Sequence, residues 1–167
     1  ELIDMPTRDR MLRERLESIK DRYDYILVDC PPSLGLLTLN GLLAADDGII
    51  IPVQSEYLAL EGLGQLTRTL DRIKGGLFPE LVIRGVLLTM YDSRTNLSSD
   101  VKAEVHKYFP AKVFESYIPR SIRLAEAPSF GMPISVYAPR SSGAQAYREL
   151  ALEVLKGDGV EIDPGQE

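Results

Sequence analysis

Short unbroken apolar runs alternate along this chain with segments in which apolar residues return every three or four positions. Leu12, Leu16 and Ile19 recur in an otherwise charged stretch and predict an amphipathic helix over 7–22. It leads into Ile26, Leu27 and Val28, which read as a short buried strand over 25–29. A short apolar helix around 36–45 precedes a second strand, "GIIIPV" at 48–53. Leu63, Leu66, Leu70 and Ile73 mark a long helix that stops at Gly75 and Gly76, residues suited to a helix C-cap. The run "LVIRGVLLTMY" is the third strand; Val101, Val105, Tyr108 and Phe109 mark the next helix, and a short strand is expected at 112–114. After the irregular "IPRSIRLAEAPSFGMPI", Tyr147, Leu150, Val154 and Leu155 define a final helix. The remaining "GDGVEIDPGQE", acidic and glycine-rich, reads as a flexible tail over 157–167.

Strands that are apolar on both faces and alternate with helices predict an α/β fold, a parallel sheet with helices on both faces. Ligands of such sheets gather at the carboxyl ends of the strands, where Asp29, Gln54 and the "TMYD" segment fall. The 167 residues fit one domain, here 1–156 ahead of the tail. A hydrophobic fraction of 44% and a charged fraction of 26% exclude disordered and fibrous classes. No apolar run approaches the roughly 18 residues of a membrane span. The charged amino-terminal stretch has no signal-peptide core and no initiating Met, as in a fragment. One cysteine, Cys30, rules out an internal disulfide framework, and one histidine, His106, rules out a multi-histidine metal site. At a net charge of −6 the chain has no global attraction for polyanions, so binding to them must be local.

Asp29 is the first residue whose position carries chemistry. A carboxylate at a strand end either caps the next turn or holds Mg²⁺, or a water of its shell, beside a phosphate. Pro31 and Pro32 stiffen the loop that follows, and Gly35 allows a backbone N–H to come close to a phosphate. A phosphate cradle of the form G-x-x-x-x-G-K-[ST] is absent from the 167 residues; "IKGGLFPE" reads as a helix end. Cys30 reads as a small apolar filler and His106 as a surface residue. Tyr57 and Tyr91 read as packing residues, and Ser33 has no nearby histidine for a hydrolase triad. Between Arg94 and Arg123 six basic residues (Arg94, Lys102, Lys107, Lys112, Arg120, Arg123) face three acidic ones (Asp100, Glu104, Glu115), a local +3. Read by itself, such a segment is a solvated face or a site for phosphate neutralisation.

An ordered series of motifs decides among these readings. "YDYILVDCPPSLGLLTLNGLLAADDGIIIPVQSEYLALEGLGQL", "GVLLTMYDSRTNLS", "IPRSIRLAEAPSFGMPI" and "YAPRSSGAQAYRELALEVL" resemble, over roughly residues 10–156, the carboxyl-terminal two thirds of the ParA/Soj family of partitioning ATPases. The family's amino-terminal phosphate loop has no counterpart here. The resemblance implies a P-loop NTPase-like fold of the SIMIBI type, truncated at its amino terminus. It also implies an ATPase, inactive in this truncated form, that uses ATP and Mg²⁺ and partitions chromosomes or plasmids.

Residue by residue, Asp29 matches the aspartate that supports Mg²⁺ and the attacking water. Pro32, Ser33 and Gly35 match the loop that senses the γ-phosphate. Thr89, Met90 and Pro119 match segments flanking the adenine, and "EYLALEG" matches a region near the dimer interface. Arg94 and Arg123, with Arg120 beside them, match basic positions for non-specific DNA binding. The implied partners are DNA, a ParB-like activator and a second copy of the chain, in a cytoplasmic, nucleoid-associated setting without membrane. The alternatives are a MinD-like membrane-surface ATPase and a nucleotide-free interaction domain; the acidic tail disfavours the first.

Overall fold

Backbone hydrogen bonding turns two of the expected apolar runs into paired strands. The computed structural model describes residues 7–31, 33 and 35–161, apart from the side chains of 57–61 and 77. Strand β1, Ile49–Gln54, and strand β2, Ile83–Thr89, form the sheet. Ile49 N–H bonds Val82 O at 2.9 Å at one end and Ser55 N–H bonds Thr89 O at 2.8 Å at the other, so the two strands run parallel. The fold is α/β. The chain divides into two compact units, the first made of residues up to 49 with 68–84, the second of 50–67 with residues from 85 onward.

In the first unit, helix α1 (Met11–Leu16) is followed by a 3₁₀ turn at Lys20–Arg22, and helix α2 spans Leu36–Leu43. The helix expected over 7–22 is thus cut to six residues and a turn. Arg10 gives its first turn no side-chain cap, and so short a helix is marginal without tertiary support. Asn40 supplies that support. Only 5% exposed, it accepts from Leu12 N–H at 3.1 Å and donates to Arg8 O at 2.7 Å and Leu36 O at 2.9 Å. Arg13 adds an ion pair to Asp46 at 2.9 Å.

The strand expected over 25–29 does not form. Residues 25–31 are irregular, and Leu27 is 88% exposed. An apolar run becomes a strand only when a neighbour completes its ladder, and among the described residues the sheet consists of β1 and β2. Val28 and Cys30 instead lie against α2 at Gly41, where a Cβ would stand 3.4 Å from Val28 Cγ1 and collide with Cys30 Sγ. Helix α3, Tyr57–Arg72, ends before Gly75 and Gly76, which sit in a π-helical turn over Ile73–Leu77 closed by Phe78 N–H to Ile73 O at 2.8 Å.

In the second unit, β2 gains a further parallel neighbour. Bridges join Val86 to Val113 and Tyr91 to Pro119. The strand expected at 112–114 is reduced to the first of these. Beyond Phe114 the N–H groups of Glu115 and Ser116 leave the ladder and bond the Glu153 carboxylate at 2.8 and 2.9 Å. Helix α4, Asn96–Tyr108, is capped by Thr95 Oγ1 accepting from Ser98 N–H, and it buries Val101 and Val105 completely. The segment that reads as irregular holds helix α5 (Ile122–Glu126), a 3₁₀ turn (Ala127–Phe130) and helix α6 (Ile134–Tyr137). Helix α7, Ser142–Gly157, starts on a Ser141 cap and packs Ala146 and Leu150 with Leu87, Ile118, Phe114 and Leu124. The expected tail begins as the end of this helix, with Val160 N–H bonded to Leu155 O at 3.0 Å and Gly159 at φ 72; residues 162–167 lie outside the described residues.

Two substitutions test this packing. Asn40→Ala leaves the Leu12 N–H and two carbonyls without their partner and is expected to lower stability by about 2 kcal/mol in urea unfolding. Gly85→Ala drives a Cβ into the Phe114 ring that lies over it; a loss of about 1–3 kcal/mol is expected, largely recovered in Gly85→Ala/Phe114→Leu.

Candidate functional site

The loop after the first apolar run belongs to the first unit. Asp29 is exposed next to Cys30, whose thiol is pushed up, first by burial and then by the Asp29 charge. That shift keeps Cys30 a neutral thiol rather than a nucleophile. Ser33 is exposed, and Pro32 lies outside the described residues. Gly35 occupies the N-cap position of α2 in extended conformation (φ −90°, ψ −174°), so the helix begins without a side-chain cap. Sequence reading missed Thr38. It is 8% exposed and its Oγ1 reaches Pro31 O at 3.2 Å and Ser33 O at 2.5 Å, fastening the loop to the first turn of α2.

Asp29 offers one hard oxygen donor group, and among the described residues no three His, Cys, Asp or Glu side chains come together. A single exposed carboxylate fits a cation that keeps its waters and takes phosphate oxygens, rather than an ion caged by protein.

In the second unit the carboxyl ends of β1 and β2 open into a recess of about 470 Å³ lined by Ser55, Glu56, Met90, Asp92, Thr95, Leu97, Ser98 and Arg120. Its rim is built by the parallel ladder. Tyr91 N–H bonds Ile118 O at 3.1 Å and Arg120 N–H bonds Tyr91 O at 3.2 Å, which sets Thr89, Met90 and Pro119 on adjacent stretches of backbone. Met90 adopts φ 53, a left-handed conformation uncommon for a bulky residue, and the residue is 43% exposed. Such strain persists only where the surroundings enforce it, here the ladder bonds on both sides of residue 90. Tyr91 is buried against Tyr117, with ring centroids 4.4 Å apart. His106 is exposed on α4.

Ser55, 4% exposed, has an Oγ without a hydrogen-bond partner among the described residues and lines this recess. Ser55 does not stand out in the sequence, whereas Asp92 closes the "TMYD" segment expected at the strand ends, though without a role of its own. Arg94 donates from Nε at 2.9 Å and from Nη2 at 2.7 Å to the two Asp92 oxygens, and its backbone N–H adds a bond of 3.0 Å. These bonds, the side-chain ones foremost, hold the Asp92 carboxyl at about 2, well below the ordinary carboxylate range. Arg120 is paired with Glu56, and Arg123 with Glu126 at 3.0 Å, where Tyr137 also donates its hydroxyl to Glu126 Oε2 at 3.0 Å. The basic segment is thus more nearly neutral in space than along the chain. Glu56, Asp92 and Glu126 lie outside the 94–123 window, and their three charges offset its excess of three.

Comparison with known proteins places the whole chain rather than its single residues. A family model described as an AAA domain matches residues 1–83. The chain is 52% identical over 158 residues to the chromosome partitioning protein ParA of Myxococcus xanthus (strain DK1622), covering 95% of this chain and 56% of that protein. It is 54% identical over 154 residues to the sporulation initiation inhibitor protein Soj of Bacillus subtilis (strain 168), covering 92% and 60%. Among solved structures, cobyrinic acid a,c-diamide synthase from Mycobacterium smegmatis with bound ATP analogue and magnesium superposes with a TM-score of 0.76 at 37% identity, over 93% of this chain and 57% of that one. The septum site-determining protein MinD from Pyrococcus horikoshii OT3, complexed with Mg-ADP, gives 0.73 at 28% identity over 93% and 60%. This chain spans less than two thirds of the length of each of these relatives. With half of its residues shared across nearly its whole length, and the strand-end loops in the expected order, the chain belongs to the ParA/Soj family of partitioning proteins.

Proposed function

We propose that this chain is part of a partitioning ATPase in which ATP and Mg²⁺ switch a homodimer between DNA-bound and DNA-free states at the nucleoid, in the cytoplasm. The observation that supports the reading is the Tyr91–Pro119 ladder, which brings Thr89 and Pro119 onto backbone next to Met90 and Arg120, two residues that line a recess at the carboxyl ends of the strands. Backbone groups beside the apolar side chains of Met90 and Leu97 suit a purine, and the similar structures with bound nucleotide and magnesium support that ligand class.

In this reading the Asp29 carboxylate holds Mg²⁺ or a water of its shell, and the bound cation supplies neutralisation of phosphate charge. Ser33 and Gly35, with Pro32, form the stretch that responds to the γ-phosphate. Thr38 holds that stretch through the carbonyls of Pro31 and Ser33, so a change in the loop must exchange these bonds. A response of this kind needs a ligand that contacts one of two loop conformations better than the other. Arg94, Arg120 and Arg123 contact DNA phosphates, and two copies joined by nucleotide present two such sets, which raises affinity through effective concentration. A ParB-like partner stimulates hydrolysis and releases the DNA. This chain alone does not turn ATP over, because none of its 167 residues supplies a G-x-x-x-x-G-K-[ST] cradle.

Two measurements test the reading. A fluorescent ATP analogue with Mg²⁺ is expected to bind a form extended upstream through a phosphate loop and not this chain; in the extended form Asp29→Ala is expected to cut hydrolysis by about 100-fold or more. Absence of binding by both forms would leave an interaction domain without nucleotide. In DNA titrations of the extended form with ATP and Mg²⁺ across salt concentration, Arg94→Ala with Arg123→Ala is expected to weaken binding and to reduce the slope of log K against log salt by up to about 2 per copy. Unchanged affinity together with an unchanged slope removes these arginines from the interface.

A further inference from the structure

Each of the three arginines assigned to DNA is already held by a carboxylate of its own chain. Arg94 makes a two-pronged pair with Asp92, Arg120 pairs with Glu56, and Arg123 pairs with Glu126. The guanidinium fork that would take a phosphate is the same fork that grips the carboxylate, since both anions present two oxygens at matching spacing. These are surface pairs. The arginine side chains are 87%, 61% and 61% exposed, so solvent screens each pair and an incoming anion reaches it without unfolding anything.

Two of the carboxylates are fixed independently of the arginines. Glu126 accepts the Tyr137 hydroxyl, and Asp92 accepts the backbone N–H of Arg94 while its own N–H donates to Ser98 Oγ at 3.2 Å. They therefore stay in place as acceptors when the guanidinium leaves. Glu56 follows β1 and lines the same recess as Arg120, so this pair also couples a basic side chain to the rim occupied by Met90.

We propose that Asp92, Glu56 and Glu126 act as built-in phosphate mimics that occupy Arg94, Arg120 and Arg123 in the free protein and yield them to the DNA backbone on binding. The inference rests on the DNA-binding reading above and adds to it a regulatory element: affinity is set by an exchange of anions rather than by capture of open cations. Exchange has a definite signature in salt. Each arginine that reaches a phosphate releases a counterion from the DNA, while the carboxylate it leaves takes up a cation from solution. The net ion release per contact is thereby reduced below the roughly 0.9 of an unmasked cation.

The test uses the form extended upstream through a phosphate loop, with ATP and Mg²⁺, a labelled DNA duplex and anisotropy titrations at several salt concentrations. Asp92→Asn and Glu126→Gln keep shape and the Asn oxygen that accepts the Arg94 N–H; with Glu56→Gln they form a triple variant. The triple variant is expected to bind about three- to tenfold more tightly at low salt, with a slope steeper by up to about one per carboxylate removed. The gain from Asp92→Asn is expected to vanish in an Arg94→Ala background, and the gain from Glu126→Gln in an Arg123→Ala background. Glu149→Gln, whose carboxylate pairs with Gln145 on α7, controls for simple loss of negative charge and is expected to give a smaller gain that persists in both backgrounds. If the amide variants bind as wild type or more weakly while the arginine variants lose binding, the carboxylates position the arginines, the masking proposal is overturned and the DNA reading stands. If arginine and amide variants alike leave binding unchanged, the DNA reading falls and the masking proposal with it.

Discussion

The parallel ladder between β2 and the segment that follows α4 governs where the second unit places its chemistry. Val86 N–H bonds Lys112 O at 2.7 Å and Phe114 N–H bonds Val86 O at 3.0 Å; after the excursion held by Glu153, Ile118 N–H bonds Leu88 O at 2.9 Å and Tyr91 N–H bonds Ile118 O at 3.1 Å. Each bond sets the next in register. The residues just beyond the ladder, Met90 on one side and Pro119 and Arg120 on the other, are presented at the end of the sheet without freedom to drift. The core beneath this ladder, Leu87 and Ile118 against Ala146 of α7, lets it serve as a fixed base.

Glu153 shows how much one side chain of this unit decides. Its two oxygens take the N–H groups of Glu115 and Ser116, which otherwise would have to be met by solvent or by continuing the ladder. The excursion allows the chain to rejoin β2 at Ile118, so that Pro119 meets Tyr91. Asp92 plays a comparable part next to the recess, linking the end of β2, the Thr95 cap of α4 through Ser98, and the Arg94 guanidinium. Backbone geometry and electrostatics are thus set by the same few polar groups.

Several elements were legible from residue pattern alone. Helices α4 and α7 carry apolar residues at helical spacing, and β1 and β2 are short apolar runs. The run at 25–29 has the same local character as β1, yet it forms no strand, because pairing belongs to the neighbour as much as to the run itself. Counting charges along 94–123 had the same weakness. The partners of Arg94, Arg120 and Arg123 are Asp92, Glu56 and Glu126, one of them 64 residues away in the chain.

The sequence by itself determined the alternation of helix and strand, the α/β class and, through its ordered motifs, membership of the ParA/Soj family, since these depend on side-chain type and spacing. Only the tertiary structure decided which apolar run acquired a ladder, that Thr38 fastens the Pro31–Ser33 loop, that Ser55 and Asp92 line the recess, and that the basic residues are paired. Those outcomes depend on hydrogen bonds and ion pairs between groups distant along the chain, and such bonds are fixed by where the packed backbone brings donors to acceptors.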